Sequence, residues 1–181
     1  MSTPAPSFAQ LAEKIGKAGL NSQNAGPVAA EIAKTFGVRE HEVGILALHK
    51  QLLHFLYPPK LATAGTIPVS ASSVAVAARV VNTKTAEIIN NLARTKHASV
   101  FEAVEFQSKK AAGQRVDPEE KLANVIQKMM TVPVLGPAGV IGVIEVSRKG
   151  KSAPAAGADF TPADLRKLVA IAAALAKHFE S

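Results

Sequence analysis

Apolar residues recur along this chain with two distinct periods. Phe8, Leu11, Ile15 and Ala18 fall three or four apart, the stripe of an amphipathic helix, and Gly19 with Asn21-Ser22 ends it. A second helix follows Pro27, with Val28, Ile32 and Phe36 on one face and Gly37 as its C-cap. The pattern then becomes that of strands. Residues 42–49 and 51–57 are rich in Ile, Leu and Val, and they are close enough to form a tight hairpin around Lys50. Pro58-Pro59 stops the second run.

Downstream, residues 65–69 read as an extended connection. Ser72-Ser73 can cap a helix running through Asn82. Residues 86–89 predict a short strand, 90–96 a helical turn and 97–104 another extended run. Residues 105–116 are polar and contain Gly, as in a loop. Asp117-Pro118-Glu119-Glu120 is a helix start, and that helix is expected to reach about Gln127. Residues 129–135 and 140–147 predict strands joined by the hairpin Gly136-Pro137-Ala138-Gly139. Residues 148–159 read as a loop. Thr161-Pro162-Ala163-Asp164 is a capping box, and the last helix carries a seam of Leu165, Leu168, Ala172, Leu175 and Phe179. Hairpins require antiparallel pairing, and helices at both ends can cover one face of the resulting sheet. The expected class is α+β.

Composition narrows the chemistry. At 181 residues the chain suits one domain, which buries roughly 70% of its unfolded surface. Aromatic residues are only 4%, so Ala, Val, Leu and Ile must build the core. With Cys absent, disulfides, thiolate metal sites and thiol nucleophiles are impossible. No apolar run approaches the ~18 residues of a membrane helix, and residues 1–7 lack the pattern of a secretory signal, so a cytoplasmic protein is expected. The net charge is +7, with Lys and Arg spread along the chain and densest at Lys109-Lys110 and Arg148-Lys149-Gly150-Lys151. Solvated surfaces account for this, and attraction to an anionic ligand is the alternative. Nucleic acid is not expected, because no helix-turn-helix, zinc-finger or RNP pattern is present.

The residues Ile126-Gln127-Lys128-Met129-Met130-Thr131-Val132-Pro133-Val134, Gly139-Val140-Ile141-Gly142-Val143-Ile144-Glu145-Val146 and Phe160-Thr161-Pro162-Ala163-Asp164-Leu165 carry a likeness. In that order, and followed by an Ala-rich helix, they resemble the GAF domain family. Gly65-Thr66-Ile67-Pro68 and the hairpin within 43–56 are similar to it as well. The resemblance implies an α+β sandwich: a six-stranded antiparallel sheet with N- and C-terminal helices on one face and middle helices and loops on the other. Residues 25–181 would form that domain and residues 1–24 an N-terminal helical segment. It further implies a pocket over the sheet and dimerisation through the terminal helices, for which the seam Leu165, Leu168, Ala172, Leu175 and Phe179 is suited. The same seam also suits packing onto the chain's own sheet.

Within that resemblance, 90–101 would line the pocket. Asn90, Asn91, Arg94, His97 and Ser99 supply hydrogen-bonding groups beside the apolar Phe101, a mixture fitting a small polar or anionic ligand. The alternative is that Asn90-Asn91 caps a turn and the charges face water. Bilin carriage and free-methionine-sulfoxide reduction, as the family performs them, require cysteine. The acidic set of cyclic-nucleotide binders is not recognisable, since Glu102 follows Phe101.

Other chemistry is sparse. Gly136, Gly139 and Gly142 are spaced G-x-x-G-x-x-G between strands and have no following helix to hold a phosphate. The five histidines lack metal-ligand spacing, so no metal and no cofactor is expected. His97 and Glu102 are the best candidates for acid–base work, but strand parity sets them on opposite faces. Glu145 is expected to alternate outward. The reading is therefore a ligand-sensing regulatory module, not an enzyme, acting on a separate signalling partner and forming a homodimer. A scaffold with a filled pocket is the second reading.

Overall fold

The computed structural model describes residues 8–62, 65–92 and 125–179. The chain opens with α1 (Phe8–Ile15), α2 (Ala25–Phe36), β1 (Val43–His49) and β2 (Leu52–Tyr57). It continues with β3 (Thr66–Pro68), α3 (Val76–Thr83) and β4 (Glu87–Ile89). The long strands β5 (Ile126–Gly136) and β6 (Gly139–Lys149) follow, then the single turn α4 (Ala153–Ala156) and α5 (Pro162–Leu175). The strands form one six-stranded sheet in the order β3-β2-β1-β6-β5-β4, with every recorded pair antiparallel.

Both hairpins form where the sequence places them, and Gln51, expected as strand, belongs to the first turn. Lys50 and Gln51 both have positive φ, 50° and 63°, and His49 pairs with Leu52. This is the two-residue turn whose twist matches that of its strands. Gly136 pairs with Gly139 across Pro137 and Ala138. Gly37 caps α2 in the left-handed region, at φ 63° and ψ 37°. The capping box of α5 is formed: Asp164 N donates to Thr161 Oγ1 (3.1 Å), and Thr161 N donates to Asp164 Oδ2 (2.9 Å).

Each face of the sheet has its own core. On one side, α1, α2 and α5 bury Val28, Ile32, Leu168 and Leu175 against Val43, Ile45, Val132, Ile144 and Val146. On the other, α3 packs Val76, Ala77 and Val80 against Leu46, Leu53, Phe55, Met129 and Val143. The central strands are therefore apolar on both faces, and strict alternation fails there because neither face meets water. Ile15 and Leu20 join the first core, and Leu20 N donates to His178 O (2.6 Å), tying the N-terminal segment to the end of the chain.

Several boundaries differ from the sequence expectation. Residues 66–68 are an edge strand, not a connection, because Leu52, Leu53 and His54 offer β2's outer side for pairing. Helix α3 begins at Val76, after the serines, and Ser73 Oγ accepts from Ala75 N instead of capping the helix. Of the helix expected over 117–127, residues 117–124 lie outside the described set. Ile126 and Gln127 are strand, drawn into the ladder by a β6 that extends to Lys149. The loop at 148–159 contains α4, capped by Ser152 Oγ, which accepts from Ala155 N.

Candidate functional site

A line of polar side chains crosses the α3 face of the sheet. Glu87 on β4 is in register with Thr131 on β5, Thr131 with Glu145 on β6, and Glu145 with Gly44 on β1. Alternation places all four on one face, since their neighbours Ile88, Met130, Val132, Ile144, Val146, Val43 and Ile45 serve the opposite core. At the outer end, Glu87 meets Arg79 of α3, whose Nε donates to both carboxylate oxygens at 3.1 and 2.9 Å. This bond fixes α3 over the sheet edge.

The centre of the row is different. Glu145 is buried, and burial pushes its carboxyl up from 4.5 to about 7. No hydrogen bond or charge among the described residues offsets that burial. Thr131 is fully buried, and its Oγ1 has no hydrogen-bond partner among the described residues. Buried polar groups are nearly always satisfied, so two neighbours without partners among the described residues set this place apart. The expectation that Glu145 points outward is thereby corrected. The inference from parity assumed a wet face, but β6 is central and Val143 on the same face is wholly buried. The missing signal was strand order, which a single strand's pattern cannot supply. Thr131 was hidden for the same reason, inside an apolar run.

The sequence-selected pocket residues divide. Asn90 is engaged at both ends of its amide: Nδ2 donates to Phe160 O (3.0 Å) and Oδ1 accepts from Phe160 N (2.9 Å). It brackets the end of β4 to the segment leading into α5. Asn91 is exposed, and Leu92, not singled out before, is buried in the α3-side core. Arg94, His97, Ser99 and Phe101 lie outside the described residues, as does Glu102. Of the helical seam, Leu168, Ala172 and Leu175 are buried in the chain's own core with Ile171, and Leu165 and Phe179 pack partly against it. Among the described residues no three His, Cys, Asp or Glu side chains cluster as metal ligands, and no helix is long and apolar enough to cross a membrane.

No protein-family profile matches the sequence. No curated protein matches it either. Solved structures do. The GAF domain of a phosphoenolpyruvate-protein phosphotransferase from Acinetobacter superposes with a TM-score of 0.61 at 16% identity, covering 95% of this chain and 89% of that one. The fold is a GAF fold. The GAF domain of A. aeolicus nlh2, solved in an inactive state, matches with a TM-score of 0.59 at 12% identity, over 96% of this chain and 93% of that chain. The free methionine-R-sulfoxide reductase of Neisseria meningitidis, solved with its substrate, matches with a TM-score of 0.60 at 17% identity, over 96% and 86%.

That last likeness corrects the expectation that the chain is not an enzyme. The GAF fold carries catalysis in the Neisseria protein, so possessing this fold gives no ground for excluding it here. The fold, the sheet and the two-sided helical cover agree with what the resemblance implied.

Proposed function

We propose that this GAF-like domain is a sensory or regulatory module that binds a small polar molecule over the Glu87–Thr131–Glu145 row. The observation that supports this reading most is the pairing of a buried carboxyl with a buried hydroxyl, neither bonded to any described residue. A ligand bearing hydrogen-bond donors and acceptors would satisfy both. With its carboxyl raised to about 7, Glu145 can accept from a ligand when ionised and donate to it when protonated. Apolar neighbours such as Met129 and Val143 would cover the rest of the ligand, as in most small-molecule sites.

Transmission would run through α3. Arg79 and Glu87 link that helix to the polar row, so a ligand that changes the row changes the load on α3. A separate partner, or a second copy, would read the change on the outer helices, where Val169 of α5 is exposed. The test is a nuclear magnetic resonance screen of a library of small polar metabolites. The reading requires ligand-induced shifts centred on the amides of Thr131 and Glu145 that vanish in the Thr131→Val/Glu145→Gln variant. Shifts confined elsewhere on the domain would overturn it.

A further inference from the structure

The cationic run Arg148-Lys149-Gly150-Lys151 plays no part in the polar row. It lies at and just past the far end of β6 and lines a cleft of about 450 Å³ together with Arg39 and Glu42. The cleft is held by specific bonds. Glu42 is buried in the turn before β1. Its Oε1 accepts from Arg39 N (2.8 Å) and Arg39 Nε (3.0 Å), and its Oε2 accepts from Lys149 N (2.6 Å). Burial alone would raise this carboxyl. The hydrogen bonds from Arg39 and Lys149, with the Arg39 charge, outweigh burial and hold it below its ordinary value. Glu42 is therefore ionised, and both its oxygens are already occupied by protein donors.

Arg148 is fixed as well. Its Nη1 and Nη2 donate to Gly37 O (3.2 Å) and Phe36 O (3.0 Å) at the end of α2, and its guanidinium lies 4.8 Å from the centre of the Phe160 ring. The chain then folds back sharply. A Cβ at Gly150 would come within 2.9 Å of Ala156 N, so only glycine allows the segment carrying Lys151 to approach α4 this closely. The result is a concave wall that carries three basic side chains, Arg39, Arg148 and Lys151, beside the Glu42 carboxylate, while Lys149 is buried and contributes its backbone N–H to Glu42. Arg39 keeps 57% of its side-chain surface exposed, and Lys151 is exposed.

We propose that this cleft binds the phosphate group of a small phosphorylated metabolite. An excess of positive charge held in fixed geometry favours a dianion, and arginine with lysine is the usual pairing for phosphate. A cleft of this volume fits a small molecule. None of the described residues lining it is aromatic, so it offers no platform on which nucleic-acid bases could stack. The site is independent of the reading of the polar row.

The test is calorimetric titration of the full chain with inorganic pyrophosphate at low ionic strength. The expected result is one-to-one binding, weakened about tenfold in Arg39→Gln/Lys151→Gln and severalfold in Lys151→Gln alone, a change on an exposed side chain that leaves the Glu42 bonds intact. The exposed pair Lys17→Gln/Lys84→Gln, with the same loss of charge, should bind as the unaltered chain does. Absence of binding, or equal weakening by both pairs, would overturn the site. Citrate binding as tightly as pyrophosphate would overturn its assignment to phosphate.

Discussion

Thr131 and Glu145 stand directly opposite each other across the β5–β6 ladder, two buried polar side chains without partners among the described residues in the middle of an otherwise apolar face. Glu87, at the edge of the same face, is bonded to Arg79, and Glu42, buried in the turn before β1, is bonded to Arg39 and Lys149. The contrast sets the centre of the row apart, and the proposed ligand would sit there.

Glu145 has a direct effect on stability. Its carboxyl is raised from 4.5 to about 7 in the folded chain, so the folded state binds more protons than the unfolded chain between those values. Stability from this group is fully present below pH 4.5, falls as pH rises through the window to about 7, and is then flat. The loss corresponds to about 3 kcal/mol. Glu145→Gln, which mimics the protonated acid, should remove this slope and make the variant more stable than the unaltered chain at pH 8. Urea unfolding across that pH range checks it; an unchanged slope in the variant would show that another group is responsible.

Glu42 titrates in the opposite sense. Held below its ordinary 4.5, it contributes stability above that value and loses it as pH falls through its lowered value. Glu42→Gln should therefore reduce the acid sensitivity of the chain while costing about 2 kcal/mol at neutral pH, because charged hydrogen bonds at a buried site are lost. Acid titration followed by far-ultraviolet circular dichroism reads both effects.

Gly142 sits where β6 passes β1 beneath the end of the chain. A Cβ there would lie 2.6 Å from Leu46 O and 2.6 Å from the Phe179 ring. Gly142→Ala should cost about 2–3 kcal/mol through overpacking. Removing the ring with Phe179→Ala should restore only part of the loss, because the Leu46 carbonyl belongs to the backbone and cannot step aside. Full restoration would assign the whole effect to the ring.

Leu168 is completely buried beneath α5, whereas Val169 beside it is 45% exposed. Leu168→Ala should lower stability by about 2–5 kcal/mol, and Val169→Ala by under about 0.5 kcal/mol. A large loss of stability at Val169 that depends on protein concentration would instead reveal a helical interface between copies.

Much of this fold was legible in the residues themselves. The near-contiguous apolar runs either side of Lys50 and the turn residues Gly136 to Gly139 mark hairpins, Thr161 to Asp164 marks a helix start, and the α5 stripe marks a buried face; each signal is local. What the chain could not disclose depends on long-range neighbours. The strand at 66–68 exists because β2 has a free edge, Ile126 is extended because β6 reaches that far, and Glu145 is buried because its strand is central. Asn90 has the hydrogen-bonding groups a ligand needs, yet both ends of its amide bond the Phe160 backbone seventy residues away. The candidate site lay unread in the two apolar strands that carried the family likeness.

The most direct test is native mass spectrometry of the freshly purified chain beside the Thr131→Val/Glu145→Gln variant. Binding over the polar row predicts an additional noncovalent mass on the unaltered chain, lost on denaturation and missing from the folded variant. The bare chain mass alone, or the same additional mass on both proteins, would contradict it.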